Sequence, residues 1–320
     1  MRATSIWTKE RDVRDGSDEE PFVNLSEISE VELLILKRMR EFTPGDHRSM
    51  FHGSGFDFVG LRDWEAGDRF SSIDWAQSTL TNFNPLVVRE FEQPSTAGVM
   101  VVADGSLSTR CGAGGVAIAA AIARAVATIG MSAVFFQDQF GLLTFTPERS
   151  GVWRLQAVRP RIGRNHVIHC LDAYQHRRGL QDVKQSDSIS GSITGFMHKT
   201  SLIAVVSDFL FERPRDVMRE LVHLNSTHDV FLVLIDAAFA YELPRSSAGW
   251  VEAFDVETGQ SRVMSRGQIA RLTKRVQAWQ DDIERMAKEF DLDVLRLGLD
   301  PTVSAIALVE FVMERRLRKK

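Results

Sequence analysis

Cysteine is scarce in this chain, with two residues, Cys111 and Cys170, among 320. That excludes a disulfide framework and fits a reducing compartment better than a single bridge. Excess positive charge is lacking too: the net charge is -4 and the sequence pI about 6.1, which argues against a general nucleic-acid binder. The eight histidines show no HxxxH, HExxH or cysteine-paired spacing, so a zinc site is not expected; His166 and His169 lie one helical turn apart without an evident carboxylate partner. No GxxxxGK[ST], Rossmann GxGxxG or Gly-x-Ser-x-Gly elbow occurs, which removes ATP hydrolysis and serine-hydrolase chemistry from the expectations.

Long uninterrupted apolar runs are nearly absent. The one stretch resembling a membrane span, residues 114–136 (GGVAIAAAIARAVATIGMSAVFF), carries Arg124 in its middle and breaks at Gly130. A charge at the bilayer centre is costly, so it reads as a buried helix followed by a strand, without membrane insertion. The opening MRATSIWTKERDVRDGSDEE is polar and charged, unlike a secretory leader. The expectation is a soluble, cytoplasmic protein.

What is present divides the chain into three. Residues 1–25 read as a disordered tail. Residues 26–95 begin with a capping-box pattern at Ser26-Glu27-Ile28-Ser29 and a helix placing Val31, Leu34, Ile35 and Met39 on one face. They continue in a Gly/aromatic texture that predicts a small β-rich subdomain without helices. Its Trp64, Trp75, Phe56 and Phe58 are expected in the core. Arg62, Asp68 and Asp74 are expected to form a buried network rather than a docking surface.

Residues 96–320 change character. Short apolar runs (AGVMVVAD, MSAVFF, GLLTF, SLIAVVSD, HDVFLVLID, LDVLRL) alternate with helix-like segments at 113–129, 165–177, 189–199, 213–224, 266–290 and 302–318. This predicts an α/β fold, doubly wound around a mostly parallel sheet covered on both faces. A hairpin is expected around Glu257-Thr258-Gly259. The C-terminal ERRLRKK reads as solvated cations at the negative end of a helix.

In open α/β sheets, ligands bind beyond the carboxyl ends of the strands. Asp104, in VVADGSLS, and Asp208, in VVSD, both stand at such ends. With Ser106 and Ser108 they form an all-oxygen set suited to Mg²⁺ or another hard divalent cation. The alternative is that these aspartates only cap helices and end strands.

Asp104-x-Ser106-x-Ser108 followed by VVSD resembles the metal-ion-dependent adhesion site of von Willebrand factor A domains. A narrower resemblance lies upstream. Gly53 to Phe58, Arg62-Asp63-Trp64, Ala66-Gly67-Asp68, Ile73-Asp74-Trp75 and Val88-Arg89-Glu90-Phe91 resemble in order the signature of a bacterial family known only as domain of unknown function number fifty-eight. With AFDVETG at 253–259, the resemblance spans about residues 30–315. It implies a von Willebrand A-like, non-enzymatic adaptor and a partner, a MoxR-type AAA+ ATPase. Such ATPase systems act in maturing or activating client protein complexes, metalloenzymes such as methanol dehydrogenase among them. One departure stands out: KQSDSISGSITGFMHKT lacks the second-loop Gly-Thr of the adhesion site, with Ser186, Asp187 or Ser188 as substitutes and Thr194 inside a helix. Two other readings stay open. One is a Mg²⁺-dependent hydrolase built on the same acidic cluster, against which stands Asp104-x-Ser106 where such enzymes carry Asp-x-Asp. The other is a scaffold without metal.

Overall fold

A computed structural model describes residues 5–6, 21–42, 57–65, 73–92, 97–110, 112–113, 116–147, 153–183, 188–241, 250–254, 261–298 and 300–318. The chain forms two compact units, residues 39–96 and residues 1–38 with 97–320.

The larger unit is built on a seven-stranded sheet. Its strands are β1 (Gly98–Asp104), β2 (Gln139–Pro147), β3 (Trp153–Arg161), β4 (Gln181–Asp182), β5 (Ser201–Ser207), β6 (Asp229–Ile235) and β7 (Asp293–Leu297). Across the sheet they run β7-β6-β5-β1-β2-β3-β4. The first five of these are mutually parallel, while β3 is antiparallel to both β2 and β4. Every residue of β1 and β5 is buried, which is why those runs show no polar alternation: both faces are covered. The expected α/β class with a central, mostly parallel sheet is what the chain adopts.

Seven helices of this unit matter for the site: α1 (Leu25–Phe42), α2 (Ile118–Phe135), α3 (Arg164–His176), α4 (Ile189–Phe196), α5 (Pro214–Asn225), α6 (Arg266–Glu289) and α7 (Pro301–Arg318). The start of α1 differs from the expected Ser26 box. Asn24 Oδ1 accepts from Glu27 N at 2.8 Å and Glu27 Oε2 accepts from Asn24 N at 3.0 Å, so the reciprocal cap lies two residues earlier. Ile28 and Ile35, two turns apart, are the buried face of α1. Glu27 and Glu32 pair with Arg124 and Arg164, and Arg38 with Glu310, tying α1 to the larger unit rather than to the β-rich segment with which the sequence grouped it. Ser5–Ile6, inside the segment expected to be a disordered tail, pairs antiparallel with Trp250–Phe254, which in turn pairs with Ser261–Ser265.

MSAVFF is not a strand. α2 continues to Phe135, because Gly130 does not break the helix but admits a close neighbour: a Cβ there would lie 2.6 Å from Val167 Cγ1 of α3. α2 is also long and apolar enough to cross a membrane by length and composition, and 78% of it is buried inside the unit. The strand β3 was not anticipated. At the C-terminus, Arg315 is not a solvated cation: it pairs with Asp229 and Asp293, and its guanidinium lies 5.2 Å from the Phe231 ring centre and 4.8 Å from that of Phe311.

The smaller unit pairs Asp57–Asp63 antiparallel with Val87–Glu92, as its texture predicts, over buried Ile73 and Val88. It also holds a helix, Trp75–Leu80, that the β-rich reading excluded; Asp74 caps it, accepting from Gln77 N at 3.1 Å. Trp75 is 57% exposed and is not a core residue, while Trp64 is half-buried. Arg62 donates to the Asp63 carbonyl at 3.0 Å. Gly53, Gly55, Phe56 and Ala66-Gly67-Asp68 lie outside the described residues, as does Cys111.

Candidate functional site

The sheet order reverses between β1 and β5: the chain runs outward from β1 through β2 to β4 on one side, and from β5 through β6 to β7 on the other. Diverging connections leave a crevice at the carboxyl ends of β1 and β5. Asp104 is the last residue of β1, and Asp208 follows the last residue of β5.

The Asp104 side chain is 1% exposed and ringed by hydroxyls. Oδ1 accepts from Ser106 Oγ at 2.5 Å and from Ser106 N at 2.9 Å, and Oδ2 accepts from Ser207 Oγ at 2.6 Å. Ser108 Oγ donates to Ser106 Oγ at 3.3 Å, extending the oxygen chain toward solvent. Leu107–Arg110 forms a 3-10 turn in which Thr109 Oγ1 donates to the Ser106 carbonyl at 2.8 Å. Ser207 turns from Asp104 to its own strand end, accepting from Phe209 N at 2.8 Å. The Asp208 carboxylate accepts from Leu210 N at 3.0 Å.

Two helices clasp these loops. From α3, Tyr174 Oη donates to the Asp104 carbonyl at 2.7 Å and Arg177, just past the helix, donates to the Gly105 carbonyl. Arg110 reaches back to the Tyr174 and Gln175 carbonyls at 2.7 Å each, under the Phe22 ring at 4.9 Å. From α6, the fully buried Gln280 donates to the carbonyls of Asp208 (3.1 Å) and Ile235 (2.8 Å). Trp279 Nε1 donates to the Phe209 carbonyl at 2.8 Å.

Burial raises the Asp104 carboxyl above its ordinary 3.8; the Ser106 and Ser207 hydroxyls, the Ser106 N–H and the Arg177 charge pull the other way. Burial also raises the Tyr174 phenol, with the Asp104 charge adding to the effect.

Asp104, Ser106 and Ser108 are hard oxygen donors, the kind that could hold a hard divalent cation. In the structure these oxygens are hydrogen-bonded to one another, at 2.5 Å from Ser106 Oγ to Asp104 Oδ1 and 3.3 Å between the two serine hydroxyls. Among the described residues no group of three or more His, Cys, Asp or Glu side chains gathers as a metal cluster. The hydroxyls of Ser106, Ser108 and Ser207 are the side chains chained to the Asp104 carboxylate.

The structure thus links Asp104 to Ser106 directly and to Ser108 through Ser106; Asp208 follows Ser207, whose hydroxyl reaches Asp104, and its own carboxylate accepts from Leu210 N. Ser207 was missed, although its place one residue before Asp208 was a usable signal. Tyr174, Arg177 and Gln280 carried no local signal. Of the second-loop substitutes, Ser188 caps α4, accepting from Gly191 N at 3.1 Å; Ser186 and Asp187 lie outside the described residues. Thr194 is inside α4, donating to the Ser190 carbonyl at 2.9 Å. The other titratable cluster is quiet: Cys170 Sγ lies 3.6 Å from His166 Nε2, and burial pushes its thiol up to about 12.

Residues 60–282 match the family described as "Protein of unknown function DUF58". The chain belongs to that family. No curated protein matches it. Among solved structures, this DUF58 chain is similar to an aerotolerance-related membrane protein of Bacteroides fragilis, with 13% identity, 68% of this chain and 99% of that one covered and a TM-score of 0.42. It is similar to the conserved hypothetical protein BatB of Bacteroides thetaiotaomicron, with 13% identity, the same coverage and a TM-score of 0.40. It is also similar to the pilus adhesin SpaC of Lactobacillus rhamnosus GG, with 11% identity, 70% and 30% covered and a TM-score of 0.35. Likeness at these scores is too loose to carry a fold or a function across.

Proposed function

We propose that this DUF58 chain is a non-enzymatic adaptor with a von Willebrand A-like larger unit, which binds a MoxR-type AAA+ ATPase through the carboxyl edge of its sheet. The observation that carries the reading is the Asp104–Ser207 hydrogen bond at the point where strand order reverses, with Ser106 and Ser108 chained to the same carboxylate. The single antiparallel strand β3 beyond β2, on an otherwise parallel sheet, supports the von Willebrand A-like topology. The partner is what the family signature from Gly53 to Phe91, with AFDVETG at 253–259, implies; the ATPase then works on a client protein complex.

Asp104, Ser106, Ser108 and Asp208 would hold the divalent cation, Mg²⁺ foremost. When bound there, such a cation would leave an open coordination position for a carboxylate of the partner. Gln280 and Tyr174 keep the two loops in place by holding the carbonyls of Asp208 and Asp104. A cytoplasmic setting is part of this proposal and rests on the burial of α2 inside the larger unit. Recovery of the native protein in the membrane fraction overturns that part.

One observation favours a second reading, the scaffold without metal: hydroxyls, a backbone N–H and the charge of Arg177 already serve Asp104. Calorimetry separates the two. The adaptor reading expects Mg²⁺ to bind the wild-type chain and to support ATPase binding, with both lost in Asp104→Ala and binding abolished by EDTA. Equal ATPase binding in Mg²⁺ and EDTA selects the scaffold. Metal-dependent turnover of a generic phosphoester, lost in Asp104→Ala, would instead establish a hydrolase.

A further inference from the structure

Arg177 stands at an unusual place. It caps α3 in the left-handed region, at φ 53° and ψ 28°, a conformation costly for a residue with a side chain. A glycine is the usual occupant of such a helix end, and Gly179 stands only two residues on. What an arginine brings here is its guanidinium, which donates to the carbonyl of Gly105, the residue between Asp104 and Ser106. Its charge acts on the Asp104 carboxylate. The same helix end is laced to the same loop twice more, by Tyr174 Oη on the Asp104 carbonyl and by Arg110 on the Tyr174 and Gln175 carbonyls. Arg177 differs from those two in being solvent-exposed.

Resting on the cation reading above, we propose that Arg177 is a built-in counter-cation, an autoinhibitory contact on the Asp104 loop that opposes entry of the divalent ion. A divalent ion bound among Asp104, Ser106 and Ser108 brings a like charge toward the guanidinium. Binding and the Arg177–Gly105 contact therefore weaken each other. Arg178, the next residue, is exposed and carries the same charge, which makes it the control for a general change in surface potential.

The test is calorimetric titration of the full-length chain with MgCl₂ for wild type, Arg177→Ala, Arg177→Lys and Arg178→Ala. The expected result is binding about three- to tenfold tighter in R177A, since a unit positive charge has been removed from beside the loop that carries Asp104, within a Debye length of the ion. R177K, which keeps the charge, is expected to stay close to wild type, and R178A to be unchanged. Binding in wild type with R177A no tighter overturns the latch and leaves the cation site standing. An equal gain in R177A and R178A also overturns it, since general surface charge then accounts for the effect. Absence of Mg²⁺ binding in every variant removes the cation site itself and the latch with it. Binding in R177A alone establishes the latch in its strongest form.

Discussion

Asp104 is served from both sides of the strand reversal, and the residue that closes the ring is Ser207. Its hydroxyl, wholly buried, donates to Asp104 Oδ2 at 2.6 Å and accepts from Phe209 N at 2.8 Å, so deleting it strips two groups at once. Ser207→Ala is expected to cost about 2–3 kcal/mol, read as a lower urea midpoint at unchanged slope. A loss below about 0.5 kcal/mol would mean that water replaces the hydroxyl without penalty. His166 offers a pH-dependent counterpart far from the carboxylates. Burial lowers it from 6.5, backbone bonds at Phe140 and Arg159 oppose, and the charges of His169 and Arg161 add to the lowering. The unfolded chain then takes up a proton at His166 before the folded one does. Its contribution is therefore complete above 6.5 and is lost as pH falls below that value toward the lower folded one. Unfolding of wild type at about pH 7.5 and about pH 5.5, beside His166→Gln, checks this, since the variant should lose part of the drop. The same drop in both proteins would assign it to other groups.

At the scale of elements, the clearest handle is the crossing of α2 and α3 at Gly130. A Cβ there meets Val167 Cγ1 at 2.6 Å and the Phe140 ring at 3.2 Å, all inside the core. Gly130→Ala raises intrinsic helix propensity by about 1 kcal/mol, yet overpacking costs about 1–3 kcal/mol. Net destabilisation is therefore expected in thermal unfolding; a higher melting temperature would show that α3 gives way easily. The same glycine explains a misreading. A helix buried all round has no polar face, so MSAVFF offered no helical period and Gly130 looked like a stop. β1, β5 and β6 were legible for the opposite reason: short β-branched runs ending at aspartate are typical of strands covered on both faces. β3 alternates apolar and polar residues only from Trp153 to Ala157; Val158 then breaks the period and Pro160 interrupts the run, so it did not stand out. The site divides similarly. Asp104, Ser106, Ser108 and Asp208 could be read because each sits at or just after a strand end. Tyr174, Arg177 and Gln280 reach their carbonyl partners across about seventy residues or, for Gln280 on Ile235, forty-five, and such contacts leave no local pattern.

For the whole molecule, stability should be graded across the sheet from β1 outward. β1 and β5 are buried at every position and paired on both sides, whereas β7 is an edge strand with one fully buried residue, Leu297. Amides that open only with global unfolding are expected in β1 and β5, and those of β7 should exchange through local opening. Arg296 of β7 pairs with Asp236, Asp281 and Glu284, and from α7 the edge is held by Arg315. It pairs with Asp229 at the start of β6 and Asp293 at the start of β7, and stacks over Phe231 and Phe311, with only 13% of its side chain exposed. One residue thus ties α7 to two strands, and removing it takes that charge from the mostly buried Asp229 carboxylate, while Asp293 is 72% exposed and served by water. Arg315→Ala should speed hydrogen exchange in residues 293–297 and 301–315 while leaving β1 and β5 at the wild-type rate, because the sheet reversal at Asp104 draws its support from α3 and α6 instead. Mass-resolved exchange of the two proteins under native conditions distinguishes this from the alternative. Uniform acceleration in every strand would mean that the edge and the centre open as one unit and that Arg315 sets global stability.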